Sequence, residues 1–319
     1  MPLTTDPKVL GLSEDVLKEF AVLFGSHPGL RPAHAKGILL KGTFTGSSEG
    51  KALTRAPHVQ RDSVPVVARL SDATGIPTIP DNDPHANPRG AAVRFYMAER
   101  VHTDIVAHSV NAFPVRTPQE FLEFLKAVAS GNPMEFLQTH PAAMNFVQPI
   151  PVPASLARDE YFGITAMKFT NKEGASKFGR FRLVPEEGVE NLDEATAKGK
   201  SADFLFDELK ARVANGPVKF TVAVQLANDG DVVNDSTNIW PEDRKVVTLG
   251  KIALTALVPD DAQEQKHLIF DPLPRVDGID PSDDPLLAFR AELYVMSGRR
   301  RREASEPAVD GASAKGAGA

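Results

Sequence analysis

Short runs of alternating apolar and polar residues recur through most of the chain, a pattern typical of half-buried β-strands. Runs of this kind lie at 38–45, 64–72, 90–99, 161–185, 218–227 and 246–257. Short turns join several neighbouring runs, and the stretch from Gly46 to Lys51 is predicted to be one such hairpin turn. Because short turns join antiparallel strands, the pattern predicts an antiparallel β-barrel rather than a parallel α/β sheet.

A second pattern, with apolar residues three and four positions apart, predicts helices packed outside this barrel. One helix is predicted to open at Ser13, which acidic residues follow, and another at the capping box of Thr117 and Glu120. Two more are predicted at about 133–146 and at 201–215. Together the two patterns predict an α+β fold, an antiparallel β-barrel core with surrounding helices.

The last predicted helix carries an unusual set of side chains on one face. It begins at Pro285 after a capping aspartate, and at about 100° per residue Arg290, Tyr294 and Arg301 fall on the same side. A fixed positive charge favours the ionised form of a neighbouring phenol, and a phenolate is a strongly donating ligand for ferric haem iron. The alternative is an amphipathic terminal helix with one aromatic core residue and a solvated basic end. The spacing alone favours that alternative.

Composition limits the classes of function. The 319 residues are 42% hydrophobic, enough for a large core, and the net charge of −6 argues against nucleic acid or an anionic membrane as the main partner. Cysteine is absent, which excludes disulfides, thiolate haem ligation and iron–sulfur clusters. The sequence shows neither a signal peptide nor an apolar run long enough to span a membrane, so we expect a soluble, cytoplasmic protein.

The histidines are the other candidates for chemistry. No pair has the spacing of a zinc site, and His102 and His108 near a predicted strand are more often surface or core residues than metal ligands. His34 lies among small residues in R-P-A-H-A-K-G, where a large flat ligand could approach. Its alternative is a buried histidine satisfied by one hydrogen bond.

Separated segments, in their order along the chain, resemble the haem catalase family. RPAHAKGILLKGTFT resembles the family's R-V-V-H-A-R-G segment with its following G-T-F-T, and ARLS followed by NPRGAAVRFY resembles V-R-F-S and D-P-R-G-F-A-V-K-F-Y. NDSTNIWPEDRKVVTLGKIAL and FDPLPRVDGIDPSDDPLLAFRAELY are similar to two later segments, the second of which ends on the iron ligand. Because the chain is shorter than ordinary catalases, it resembles the small catalase-related haem peroxidases. The resemblance implies one catalase-like haem domain at 1–302, and we expect the Gly/Ala-rich tail at 303–319 to be disordered.

The resemblance also implies a role for particular residues around a haem b. Tyr294 would bind the iron as an axial tyrosinate, with Arg290 keeping the phenolate ionised. His34 would act as the acid–base group, and Ser71 would bond its other ring nitrogen. The residues implied to bind the cofactor itself are the arginines at the propionates, Arg31, Arg69 and Arg301, and two rings against the porphyrin, Phe95 and Phe113, for which core packing is the alternative.

One segment departs from the family pattern. Where catalases have paired asparagines this chain has His108 and Ser109, with Asn111 two positions later, so the sequence leaves open whether Ser109 or Asn111 takes the asparagine's place. We therefore expect a peroxidase that reduces hydrogen peroxide or an organic hydroperoxide with a small organic electron donor, and only weak catalase activity. The alternatives are a fatty-acid hydroperoxide isomerase of the allene oxide synthase type and a non-catalytic haem-binding protein. A homodimer is the default expectation for its assembly.

Overall fold

The computed structural model describes residues 4–304 of the chain. Its strands are β1 (Gly37–Gly46), β2 (Val64–Ser71), β3 (Gly90–Ala98), β4 (Val101–His108), β5 (Tyr161–Phe162), β6 (Met167–Thr170), β7 (Ser176–Pro185), β8 (Val218–Leu226), β9 (Val246–Leu257) and β10 (Ile279–Pro281). Every pairing is antiparallel. Eight strands close into a barrel in the order β1-β2-β3-β4-β5-β7-β8-β9, while β6 and β10 extend the sheet beside β7. The predicted α+β fold with an antiparallel barrel is confirmed.

Helices surround the barrel. They are α1 (Pro7–Phe24), α2 (Ser48–Leu53), α3 (Pro57–Gln60), α4 (Pro118–Ala129), α5 (Met134–Thr139), α6 (Pro141–Phe146), α7 (Glu194–Lys198), α8 (Phe204–Asn215), α9 (Asp261–His267) and α10 (Pro285–Glu303). The predicted capping box is present, because Thr117 accepts from the Glu120 backbone N–H at 3.2 Å while the Glu120 carboxylate accepts from the Thr117 N–H. None of the helices within residues 4–304 is long and apolar enough to cross a membrane.

Two predictions near the N-terminal end were wrong, one about where a helix begins and one about the kind of element. Helix α1 begins at Pro7 rather than Ser13, because Asp6 caps it by accepting from the Lys8 N–H at 2.9 Å. The stretch from Gly46 to Lys51 is not a hairpin turn. Ser47 accepts from the Gly50 N–H at 2.9 Å and so caps α2, which precedes α3 and then β2.

The other helices differ from prediction at their ends. The single helix expected at 133–146 is two, α5 and α6, with the break at His140, the residue before Pro141. Helix α8 begins at Phe204 and not at 201. Helix α10 begins at Pro285 as predicted but continues through Glu303, one residue past the expected domain boundary. Residues 305–319, most of the tail expected to be disordered, lie outside the described part of the chain.

The barrel wall presents two different faces. On β3, Ala91, Val93 and Phe95 point into the barrel core, where most of the buried apolar residues lie. Ala92 lies on the outer face and packs against the cluster that includes Leu39. Helices α1, α4, α5, α6 and α10 share a further apolar cluster outside the barrel. The outer face of β1 to β4 and this helical cluster carry the candidate site between them.

Candidate active site

A row of residues in register crosses four strands of the barrel wall. Gly37 of β1 pairs with Ser71 of β2, Ser71 pairs with Gly90 of β3, and Gly90 pairs with His108 of β4. Residues directly opposite one another in neighbouring strands project from the same face of a sheet. Because Gly90 has no side chain, it leaves an open position between the side chains of Ser71 and His108.

The imidazole of His34 lies over that open position. A Cβ atom on Gly90 would lie 2.8 Å from His34 Nδ1 and 2.7 Å from Ser71 Oγ. The His34 backbone has a φ of 57°, in the left-handed region, which costs a non-glycine residue roughly 1–2 kcal/mol. Two hydrogen bonds hold the His34 backbone in this conformation. The His34 N–H donates to the Ala73 carbonyl at 2.6 Å, and the His34 carbonyl accepts from the Arg69 guanidinium at 2.8 Å. The surrounding chain thus holds this histidine in one orientation.

Hydrogen bonds also determine the tautomer of His34. Its Nδ1 lies 2.7 Å from the Asp72 carbonyl oxygen and 3.1 Å from Ser71 Oγ. A carbonyl oxygen only accepts, so Nδ1 carries the proton and donates it, which leaves Nε2 with a free lone pair. Ser71 is at the expected ring nitrogen, but the Asp72 carbonyl is the closer partner.

The electrostatic surroundings keep His34 neutral. Burial, and next the positive charge of Arg69, lower the pKa of His34 to about 4, although the hydrogen bond to the Asp72 carbonyl opposes them. Arg31 and Arg290 lower it further. At neutral pH the free Nε2 is therefore able to accept a proton.

A second imidazole lies beside the first. The ring of His108 is centred 5.8 Å from that of His34, with 32° between the ring planes. Burial, then Arg290 and His34, hold the pKa of His108 well below its usual value. Ser109 does not enter this space, because its Oγ accepts from the Arg89 N–H at 2.9 Å. Of the neighbours His108 and Ser109, it is His108 whose ring lies beside that of His34.

Helix α10 carries the predicted pair of Arg290 and Tyr294. Arg290 donates from Nη2 to the Tyr294 hydroxyl at 3.2 Å, and its guanidinium lies 5.8 Å from the centre of the Tyr294 ring. Arg290 is only 6% exposed, whereas Tyr294 is partly exposed and packs on the helical cluster. The predicted pairing of these two side chains on one helix face is present. Since the charge of Arg290 acts on His34, α10 and His34 are within electrostatic reach.

The three remaining predicted arginines come together. Arg31 donates to the Leu268 carbonyl at 3.0 Å and Arg301 to the same oxygen at 3.0 Å, while Arg69 donates to Gln265 Oε1 at 2.6 Å. Burial lowers the pKa of Arg69 to about 9 and that of Arg301 to about 8, and it lowers the pKa of Arg31 well below its usual value. The positive charges also repel one another. After burial, the charge of Arg69 does most to lower the pKa of Arg31, and the charge of Arg31 does most to lower the pKa of Arg301.

Carboxylates balance this arginine cluster only in part, because the charge of Asp261 raises the pKa of Arg31 and Arg69 against the lowering by burial. Within residues 4–304, none of Arg31, Arg69 and Arg301 forms an ion pair within 4.0 Å, and Arg301 Nε is buried without a hydrogen-bond partner. Buried charges are normally paired, so the cluster matches a ligand that brings its own carboxylates. Haem has two such groups. A haem iron needs only one side-chain donor, and the Tyr294 phenol predicted for that role is a group suited to ferric haem iron.

The two predicted phenylalanines differ. Phe95 is fully buried inside the barrel, where its ring lies 5.0 Å from that of Phe44 and 4.9 Å from that of His58. This place matches the alternative of core packing, because Phe95 projects from the opposite face of β3 to Gly90 and lies five residues further along that strand. Phe113 is partly buried against the helical cluster with its ring 5.1 Å from that of Phe121, so it stays a candidate.

Sequence reasoning missed several parts of the site. The Asp72 carbonyl is a backbone group with no sequence signal, and the Gln265 amide comes from α9, a helix that was not predicted. Gly37 is needed because a Cβ there would lie 2.3 Å from the Arg69 guanidinium. The positions of Gly90 and His108 could have been found only by aligning β2, β3 and β4, since their relation is one of register.

Comparison with known proteins agrees with this geometry. The family described as Catalase matches residues 29–306. That range covers most of the chain, so the protein belongs to the catalase family, whose members bind haem, and it is an oxidoreductase that acts on peroxide.

Two relatives narrow the comparison within the family. The catalase-related peroxidase of Mycolicibacterium paratuberculosis is 37% identical over 288 residues, which cover 87% of this chain and 90% of that protein. The catalase-related peroxidase of Synechococcus elongatus is 32% identical over 300 residues, covering 90% of this chain and 88% of the relative. The chain is thus similar over most of its length to proteins of nearly the same extent.

Solved catalases share the fold. A fungal catalase superposes with a TM-score of 0.76 at 22% identity, over 86% of this chain and 60% of its own. Catalase A from Saccharomyces cerevisiae gives the same TM-score and identity, over 94% of this chain and 65% of its own. This chain therefore corresponds to the barrel-containing part of larger catalases.

Proposed function

We propose that the protein is a haem b peroxidase that reduces hydrogen peroxide or an organic hydroperoxide while it oxidises a small organic donor, with only weak catalase activity. The observation that carries the proposal is the state and position of the His34 side chain. Its imidazole is neutral, oriented by the Asp72 carbonyl and free at Nε2, and it lies over the open position at Gly90 within electrostatic reach of α10. A protein that only carried haem would not need such a base.

The residues of α10 and the arginine cluster bind the cofactor in this proposal. Tyr294 binds the iron through its phenolate oxygen, and Arg290 stabilises that anion through the contact at 3.2 Å. Arg31, Arg69 and Arg301 bind the propionates, which neutralise the mutual repulsion of three buried guanidiniums. When bound, haem supplies the two electrons that cleavage of the O–O bond requires.

His34 moves the proton. Its Nε2 accepts the proton from the inner peroxide oxygen and then donates it to the outer oxygen, which leaves as water or as an alcohol. The Nδ1–H bond to Asp72 keeps the ring in place during both transfers. An organic donor then returns two electrons and releases two protons, so that ROOH and DH2 give ROH, water and D.

The test is an assay of the haem-loaded protein with three substrates. We expect hydrogen peroxide or cumene hydroperoxide to oxidise guaiacol, with little oxygen evolved from hydrogen peroxide alone. Conversion of a polyunsaturated fatty-acid hydroperoxide without any donor would replace this proposal with the isomerase. Inertness in all three assays would leave a haem-binding protein without turnover.

Assembly and location are separate parts of the proposal. We expect the protein to be cytoplasmic. We also expect a homodimer, since dimers are the commonest soluble homo-oligomers. Light scattering of the purified protein at several concentrations would measure the mass, and a monomeric mass throughout would contradict the dimer.

A further inference from the structure

His108 has no structural partner that accounts for its place at the site. Its ring nitrogens form no hydrogen bond to any residue within 4–304, although His108 ends β4 in register with Gly90. The side chain is partly exposed rather than sealed in the core. A polar ring at the end of a strand, facing another imidazole and left without a partner, is available to a ligand.

The geometry directs His108 to the same small space as His34. The His34 ring lies over the missing Gly90 side chain, His108 pairs with Gly90 from the neighbouring strand, and the two ring centres are 5.8 Å apart. At that separation one small polar group placed beside both rings would be within hydrogen-bond reach of each. His34 already donates through Nδ1 to the Asp72 carbonyl, so it offers this space an acceptor.

The group that would complement the acceptor of His34 is a hydrogen-bond donor, and His108 can supply that donor. A neutral imidazole carries one N–H and one free nitrogen. Burial, Arg290 and His34 keep the pKa of His108 well below its usual value, so the ring is neutral at pH 7. A neutral donor suits a hydroperoxide, which is itself neutral and presents oxygen lone pairs beside the proton that His34 accepts.

We propose that His108 is a second catalytic imidazole, which donates its N–H to the outer oxygen of a hydroperoxide while His34 removes the proton from the inner oxygen. This inference rests on the proposed function and extends it to a residue of this chain. No proton is transferred from His108. Its hydrogen bond strengthens as negative charge develops on the outer oxygen, and His34 then returns the proton that completes the water or alcohol.

Fluoride binding to the haem-loaded protein tests the donor directly. Fluoride accepts hydrogen bonds but carries no proton, so its affinity for ferric haem, measured from the absorption spectrum with sodium fluoride, reports the donors beside the iron. We expect His108→Leu to weaken fluoride binding by about 10-fold or more, as for loss of a hydrogen bond to an anion. His108→Asn, whose amide keeps an N–H, should stay within about threefold of the parent.

A matched control separates this role from packing. His102→Leu removes a histidine from the same strand, six residues earlier, where its ring lies 6.4 Å from that of Tyr96, and should leave fluoride affinity unchanged. The rate of reaction with hydrogen peroxide should change in the same way as the fluoride affinity. It should fall in His108→Leu and be largely restored in His108→Asn. Equal fluoride affinity in the parent and in His108→Leu would overturn this inference, and so would an equal loss in His108→Leu and His108→Asn.

The two proposals fail in different ways. A protein that binds no haem would overturn both. Haem-bound protein that oxidises no donor would overturn the peroxidase, while the fluoride affinities would still decide whether His108 is a donor at the site.

Discussion

The imidazole of His34 occupies the space that a side chain at Gly90 would fill. A Cβ atom there would lie 2.8 Å from His34 Nδ1 and 2.9 Å from its Cε1, closer than such contacts occur. Gly90 also pairs with Ser71 on one side and His108 on the other. The absence of one methyl group thus allows three polar side chains to meet at the barrel surface.

Gly90→Ala should therefore displace His34 without removing it. We expect the protein to fold and bind haem, because the change lies on the outer face of β3, but the rate of reaction with hydrogen peroxide should fall about 10-fold or more as the imidazole loses its orientation. Stopped-flow absorption at the Soret band measures this rate. The control is Gly11→Ala, where an added Cβ meets nothing within 4 Å. A parental rate in Gly90→Ala would show that this close approach is unimportant.

Replacement of Tyr294 tests the iron ligand. Tyr294→Phe keeps the ring on the helical cluster but removes the oxygen that accepts from Arg290, so we expect the Soret band of haem-loaded protein to be lost or markedly changed. Tyr96→Phe, on β3, is the control and should leave the spectrum as it is. An unchanged spectrum in Tyr294→Phe would reject Tyr294 as the ligand.

Replacement of His34 tests the acid–base group. His34→Ala should retain haem, since the residues proposed to bind the propionates and the iron are unchanged, while the rate with peroxide should fall by roughly 10²-fold or more. His85→Ala, in an exposed loop beside Asp83, is the control. Unaltered kinetics in His34→Ala would remove His34 from the mechanism.

Loss of one cluster arginine should affect the haem-free and haem-bound forms in opposite ways. In Arg301→Met the haem-free protein should unfold at the same temperature or higher, because one of three mutually repelling buried charges is gone. Haem affinity, measured by titration of the haem-free protein, should fall about 10-fold or more because a propionate loses its partner. Arg299→Met removes an exposed charge from the same helix and serves as control. Equal haem affinity in Arg301→Met and the parent would contradict a propionate role.

The pH dependence follows from the lowered pKa of His34. The reaction needs the neutral ring, which exists above a pKa of about 4, so the rate with hydrogen peroxide should stay level from pH 8 down to pH 5.5 and fall as pH drops through about 4. Well below pH 4 the loss should approach tenfold per pH unit, as for a single protonation. Stopped-flow rates across this range provide the measurement. A midpoint near 6.5 would mean that His34 is not buried as described.

Local signals in the sequence determined the architecture. Alternating apolar residues predicted the barrel strands because a strand with one buried face has a period of two, and the capped start of α10 followed from the aspartate before Pro285. The helical period alone placed Arg290 beside Tyr294, and the spacing of residues within one strand placed Arg69 and Ser71 on one face. The capping side chains of Asp6 and Ser47 were not recognised, so the start of α1 was predicted too late and α2 was predicted as a turn.

Only the tertiary structure decided which groups meet. Ser71, Gly90 and His108 are brought together by the register of β2, β3 and β4, and register depends on how whole strands pair rather than on any one residue. Hydrogen bonds to Asp72 and Ala73, which follow β2, hold His34 over them. Arg31, Arg69 and Arg301 come from a loop, a strand and a helix, and their convergence, with no carboxylate of residues 4–304 at ion-pair distance, is a property of packing. The chain's local pattern therefore determined the elements, while the closed barrel determined the site, because contacts between distant segments have no local signal.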